Sequence, residues 1–236
     1  MISILKGIKS NKLLVIFAII NFSLYSYLSG LTVLNIFTGF FLSLTFILLG
    51  IGSIYSLIIL EIYTILTSYG LFETLKSYTD FVTTLKIVLP SFALFTFLIL
   101  LSGYLWLKHS NNYIVIVKSH SNKFLPIGAV FIYLLALVVS YFYYPKIQIL
   151  MLLKSFSDII TLVGLVLGYI LLILRYKMGW IHLVASFISV VFSNIFYNLF
   201  YKIPFEPLLF ISTFLNILIC FLSYLSWNKI KSNQNS

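Results

Sequence analysis

Eight apolar runs, each about as long as a bilayer is thick, decide what this chain can fold into. They cover 13–29, 31–51, 54–72, 81–107, 124–144, 156–174, 180–201 and 207–226 of its 236 residues. Periodicity does not separate a buried strand from a buried helix in such runs, so length decides. About 20 apolar residues cross the hydrocarbon core as a helix. Only 8% of the residues are charged, against about 25% in a soluble domain, and mean hydropathy is +1.11. One soluble core of this size could not hide so much apolar surface. The fold class is therefore all-α and integral to the membrane, with about eight transmembrane helices. Run 81–107 is over-long; it either begins in the interface or breaks near Pro90. Lys6, Lys9 and Lys12 precede the first run as in a signal peptide. No small-residue cleavage site follows, which predicts a retained helix.

The net charge of +10 does not read as a nucleic-acid surface. The fifteen Lys and Arg lie in short clusters between apolar runs, not on one basic face. With the N-terminus inside, the cytoplasmic ends receive Lys6, Lys9, Lys12, Lys108, Lys118, Lys123, Arg175, Lys177, Lys229 and Lys231. The outer ends receive Lys76, Lys86, Lys146, Lys154 and Lys202. Ten against five satisfies the positive-inside bias. Glu73, Asp80, Asp158 and Glu206 then sit at outer ends, and an even number of spans returns the C-terminus to the cytoplasm. Cys220, the single cysteine, allows no internal disulfide. The sequence contains no HExxH, GxSxG, phosphate-binding lysine loop or Cys/His cluster. An enzymatic reaction, a metal and a cofactor are accordingly not expected.

A weak internal repeat organises the chain. Tyr69-Gly70-Leu71-Phe72 ends the third run and Tyr197-Asn198-Leu199-Phe200 the seventh. Gly103-Tyr104-Leu105-Trp106 ends the fourth, and Ser223-Tyr224-Leu225-Ser226-Trp227 the eighth. The implied parts are a tail and first helix at 1–30, a three-helix repeat at 31–107, a cytoplasmic loop and linker helix at 108–154, a second repeat at 155–227 and a cytoplasmic tail at 228–236. An odd triplet followed by a single linker makes both triplets enter the membrane in the same sense, as parallel-repeat transporters do.

With these pieces in order, the chain resembles the PnuC family of bacterial vitamin transporters, which take up nicotinamide riboside and related compounds. The resemblance rests on Leu34-Asn35-Ile36-Phe37-Thr38-Gly39, on Gly103-Tyr104-Leu105-Trp106, and above all on Ser155–Trp227. In that last stretch an Asp158-led span is followed by Leu174-Arg175-Tyr176-Lys177, by Trp180 and by the Tyr-Leu-Ser-Trp ending. It implies a SWEET-like 3+1+3 arrangement with an extra N-terminal helix, trimeric assembly and a place in the cell inner membrane. It also implies facilitated uptake, the solute being trapped by phosphorylation inside the cell. The family's substrate motif reads Trp-x-x-Trp-x-x-x-Asn. Trp180 matches its first position, while Leu183 and Phe187 stand where the second Trp and the Asn belong. Basic residues usual between the second and third spans are replaced by Gly50-Ile51-Gly52-Ser53. A diverged member keeps the fold and is free to change the solute.

The candidate substrate-binding residues are Trp180, Phe187, Asn194, Asn198 and Glu61. Glu61 is the one acid near the middle of a span, where a charge costs about 2.5–3.5 kcal/mol on insertion scales and must face protein or water. Thr64 and Ser68 share its helical face. The group either lines a solute path or is a protonated Glu bonded to a neighbouring helix. Trp180, Phe187, Asn194 and Asn198 fall within about 40° of one line at 100° per residue. Such a stripe stacks a flat heteroaromatic ring and bonds its edge; the alternative for Trp180 is an interfacial anchor. Ser186, Ser189 and Ser193, on the opposite side, form a close-packing surface. Trp106 and Trp227 are read as belt anchors, Asp158 as a helix cap, His182 as a satisfied interfacial residue, and His109 and His120 as loop residues. The functional expectation is a transporter of a small vitamin or nucleoside-like solute. The alternative is a non-transporting membrane protein that serves as assembly partner or scaffold.

Overall fold

The computed structural model describes residue 8 and residues 11–28, 32–77, 80–111, 114–117, 131–135, 137–138 and 149–234. The chain divides into two compact units, Met1–Ile116 and Val117–Ser236.

The first unit contains α1 (Lys12–Leu28), α2 (Val33–Gly50), α3 (Tyr55–Lys76) and α4 (Phe81–Lys108), then a two-residue antiparallel hairpin of β1 (Ser110–Asn111) and β2 (Ile114–Val115). The second contains α5 (Ile149–Ile173), α6 (Met178–Tyr201) and α7 (Pro207–Gln234). Residues 131–135 and 137–138 are also helical, so part of the fifth apolar run is helix; the rest of it lies outside the described residues, with Asn112, Lys118, His120, Lys123 and Lys146. Among the described residues six helices, α2 to α7, are long and apolar enough to cross a membrane, and α1 is apolar over 17 residues. The architecture is therefore all-α and multi-spanning, as the eight runs imply.

Helix ends follow local chemistry. Thr32 caps α2, accepting from the Asn35 N–H at 3.2 Å, and Asp80 caps α4, accepting from the Thr83 N–H at 2.9 Å and its hydroxyl at 2.7 Å. These bonds hold the exposed Asp80 carboxyl below its ordinary range. Pro90 lies inside α4 without breaking it, as transmembrane helices tolerate when neighbours occupy the freed carbonyl. The over-long run is thus one 28-residue helix. Helix α5 begins at Ile149, nine residues before Asp158, so Asp158 is not its cap. Likewise α7 continues through Gln234, past the end of the apolar run.

The turn between α2 and α3 and the turn between α5 and α6 are built alike. Gly52 stands at φ 69°, its N–H donating to Leu49 O at 2.9 Å and that of Ser53 to Leu48 O at 2.8 Å. Arg175 stands at φ 69°, its N–H donating to Leu172 O at 2.9 Å and that of Tyr176 to Leu171 O at 2.8 Å. Both are Schellman closures, in which a left-handed residue returns two N–H groups to the last turn. The third helices also correspond. Ser102 and Trp106 on α4 are buried four residues apart, as are Ser223 and Trp227 on α7. Ser102 donates to Leu98 O at 2.5 Å and Ser223 to Ile219 O at 2.8 Å. Trp106 and Trp227 are 1% and 0% exposed. The interfacial-anchor reading is therefore corrected: both indoles are buried in protein.

Candidate functional site

In the second unit the serine face of α6 meets α5 backbone to backbone. Ser186 Oγ donates to Thr161 O at 2.7 Å and Ser189 Oγ to Ser157 O at 2.8 Å, while Ser193 Oγ donates to the Asp158 carboxylate. Gly164, Gly168 and Gly179 allow this approach. A Cβ on Gly179 would lie 2.5 Å from Gly168 O and one on Gly164 2.9 Å from the Ser186 Cβ. Small residues close the gap and hydroxyls bridge it. Asp158 thus serves as acceptor for α6 and as partner of Lys154 one turn earlier.

Trp180 is wholly buried. Its ring meets Trp227 of α7 edge to face, with centroids 6.1 Å apart and planes at 82°. The interfacial-anchor alternative for Trp180 does not describe such a residue. Its Nε1–H has no hydrogen-bond acceptor among the described residues, and an unmet buried donor costs about 1–3 kcal/mol. Beside the pair, Lys177 Nζ donates to Asn228 Oδ1 and stands 5.3 Å from the Tyr224 ring centroid. Phe187, Asn194 and Asn198 are half-buried. The Asn194 amide donates to Val190 O of its own helix at 3.0 Å. The main-chain carbonyl of Asn198 accepts the Ile203 N–H at 3.0 Å, closing α6. His182 Nδ1 lies 3.2 Å from the Tyr133 hydroxyl, the two rings stacked at 14°; the interface it satisfies is thus with another helix.

In the first unit Glu61 points into protein. Its Oε1 accepts from Thr96 Oγ1 of α4 at 2.9 Å, and its Oε2 is buried with no partner. Thr64, three residues on along the same face, donates to Leu60 O at 2.9 Å, so its hydroxyl proton is committed to its own helix.

The structure therefore singles out Trp180 and Glu61 from the five sequence candidates, one in each unit. Each presents a buried polar atom that protein leaves unsatisfied: an indole donor and a carboxylate acceptor. Their immediate partners, Trp227 and Thr96, were not among the candidates. Trp227 was detectable through its Ser-x-x-x-Trp spacing, which Ser102 and Trp106 repeat. Thr96 carried no local signal, since one hydroxyl in an apolar helix normally bonds its own backbone.

No family model matches the sequence, and no curated protein matches it. The fold does have a counterpart. The crystal structure of the vitamin B3 transporter PnuC superposes with a TM-score of 0.58, covering 93% of this chain and 90% of that one at 16% identity. At that identity the likeness fixes the fold: a multi-spanning helical membrane architecture of the PnuC type. The resemblance read from the ordered motifs is borne out at that level.

Proposed function

We propose that the chain is a membrane transporter for a small vitamin or nucleoside-like solute, nicotinamide riboside being the first to test, moved by facilitated diffusion. The observation that carries this reading is the likeness to the vitamin B3 transporter PnuC along nearly the whole chain. The unsatisfied Trp180 indole N–H and Glu61 carboxylate oxygen support it, because a polar solute is what such atoms lack. In this reading a solute moving along α6 meets in turn the rings of Trp180 and Phe187 and the amides of Asn194 and Asn198, which are spread over about 27 Å at 1.5 Å per residue, and Glu61 offers a further contact in the first unit. The protein lies in the cell inner membrane with both termini cytoplasmic, and assembles as a homotrimer. The test is uptake by proteoliposomes against labelled B vitamins and nucleosides. Saturable uptake of one of them, competed by the unlabelled compound, is expected. A folded protein that moves none of the panel belongs to the scaffold class instead.

A further inference from the structure

We infer that Glu61 makes this protein selective for positively charged organic solutes. The inference rests on the transport reading and adds the charge of the solute to it.

The hydroxyl of Thr96 departs from the habit of its neighbours. Thr64, Thr67 and Ser102 of the same unit donate to carbonyls of their own helices. Thr96 instead gives its proton to Glu61 Oε1 across the α3–α4 contact. A donor committed in this way orients the carboxyl group and leaves Oε2 as the open position. That oxygen is shielded from solvent and unpartnered.

No cation of α2, α3 or α4 completes it. Helix α2, packed on α3, carries no titratable side chain. On α4 the cations are Lys86 and Lys108, ten and twelve residues from Thr96, or about 15 and 18 Å along the axis at 1.5 Å per residue. The other titratable group there, Tyr104, is 63% exposed. Lys76 ends α3 fifteen residues beyond Glu61. The single ion pair among the described residues is Lys154–Asp158, in the other unit.

A carboxylate at membrane depth is completed by a partner charge or a water path. An inorganic cation would want about six oxygen ligands, whereas Glu61 offers one open oxygen beside one threonine. An organic cation asks for less, since one charge-assisted contact satisfies it while its remaining surface meets apolar walls.

The experiment uses the full chain in proteoliposomes with an imposed inside-negative potential. The probes are nicotinamide riboside and thiamine, both cations, and the neutral dihydro form of nicotinamide riboside. The parent should take up a cationic probe faster than the neutral one, at a rate that rises with the potential. Glu61→Gln, which keeps the shape, should lower cation uptake about 10- to 100-fold, as for a lost charge-assisted bond, and so lower the ratio of cationic to neutral uptake. Thr96→Val should give a smaller loss in the same direction, which keeps the idea testable if Glu61→Gln folds poorly. Entry of neutral and cationic probes alike, with Glu61→Gln unchanged, would overturn the inference and leave transport standing. So would uptake that follows a pH gradient and ignores the potential. If no probe enters, this inference falls, and uptake of the remaining B vitamins and nucleosides decides separately whether the transport reading stands.

Discussion

Gly179→Ala tests the tightest glycine contact among the described residues. An added Cβ would meet Gly168 O at 2.5 Å, Leu172 Cγ at 2.7 Å and Leu172 N at 2.9 Å. Carbon and carbonyl oxygen rarely come nearer than about 3.3 Å, so α5 and α6 must separate by about 0.8 Å. Two of the three obstacles are backbone atoms, which move only with their helix. Carried along α6, the same displacement takes Ser186 Oγ to Thr161 O from 2.7 Å to about 3.5 Å, the edge of hydrogen bonding. One extra methyl in a filled core costs about 1–3 kcal/mol, and the backbone clash places this case near 3. Replacing glycine in a helix returns about 1 kcal/mol, which leaves about 2 kcal/mol net. For a chain of this length the melting temperature falls by about 4–8 °C. Gly70→Ala is the matched control, because its Cβ would meet nothing nearer than Leu34 Cδ2 at 3.7 Å; it should melt at or slightly above the parent temperature. Thermal unfolding in detergent, followed by size exclusion, reads both. A Gly179→Ala protein as stable as Gly70→Ala would show that α5 and α6 do not pack on bare backbone.

Other consequences are briefer. Asp80→Ala should lower stability at neutral pH by removing the cap of α4. Because folding depresses the Asp80 pKa, its contribution is present above the unfolded carboxyl range and lost as pH falls through the folded value, so parent and variant melts should converge in acid. In a Cys220→Ala background, cysteines placed at Asn112 and Asn233 should react only with membrane-permeant reagents; labelling of either from outside intact cells defeats the proposed orientation. Asn194→Ala should weaken solute binding by about 1–3 kcal/mol if the amide leaves Val190 O for the solute, which a binding isotherm at matched expression would measure. Trp180→Phe keeps a ring against Trp227 and deletes the unmet N–H; slower uptake with unchanged or higher melting temperature is expected, and unaltered uptake would exclude the N–H as a solute contact.

The apolar runs locate the helices well because membrane insertion is decided by length and hydrophobicity, both visible residue by residue. The apolar run begins later than α5, which starts at Ile149, because Lys154 and Ser155 interrupt it, yet a lysine near a helix end keeps its charge in the interface and the helix continues. The serine stripe of α6 could be read from spacing, since small residues at helical intervals have one main use in lipid. The tryptophans could not. An indole near the end of a span anchors at the interface or fills a core, and only the neighbouring helix decides between them. Trp180 and Trp227, 47 positions apart in the chain, become one edge-to-face pair through packing alone. The Glu61–Thr96 bond has the same character, since nothing along α3 or α4 announces which side chains will face each other.

The shared turns provide a ruler for comparing what the two units do with one frame. Trp180 follows Arg175 by five residues, and the residue five beyond Gly52 is Leu57. Glu61 follows Gly52 by nine, and the residue nine beyond Arg175 is Val184. Thr96 precedes Ser102 by six, and the residue six before Ser223 is Ile217. Each polar element in one unit thus has an apolar residue at the matching position of the other. The first unit carries the carboxylate and its hydroxyl where the second carries Val184 and Ile217. The second carries two indoles, Trp180 and Trp227, where the first carries Leu57 and Trp106. Packing alone does not require this division, since valine and leucine suffice at the matching positions. Buried polar atoms without partners reduce stability, and both such elements leave one unsatisfied. The matching positions supply the substitutions that separate the roles. Glu61→Val and Trp180→Leu each install the residue that the other unit already accommodates. Both should hold the fold, and any loss of uptake they cause then reports on the solute.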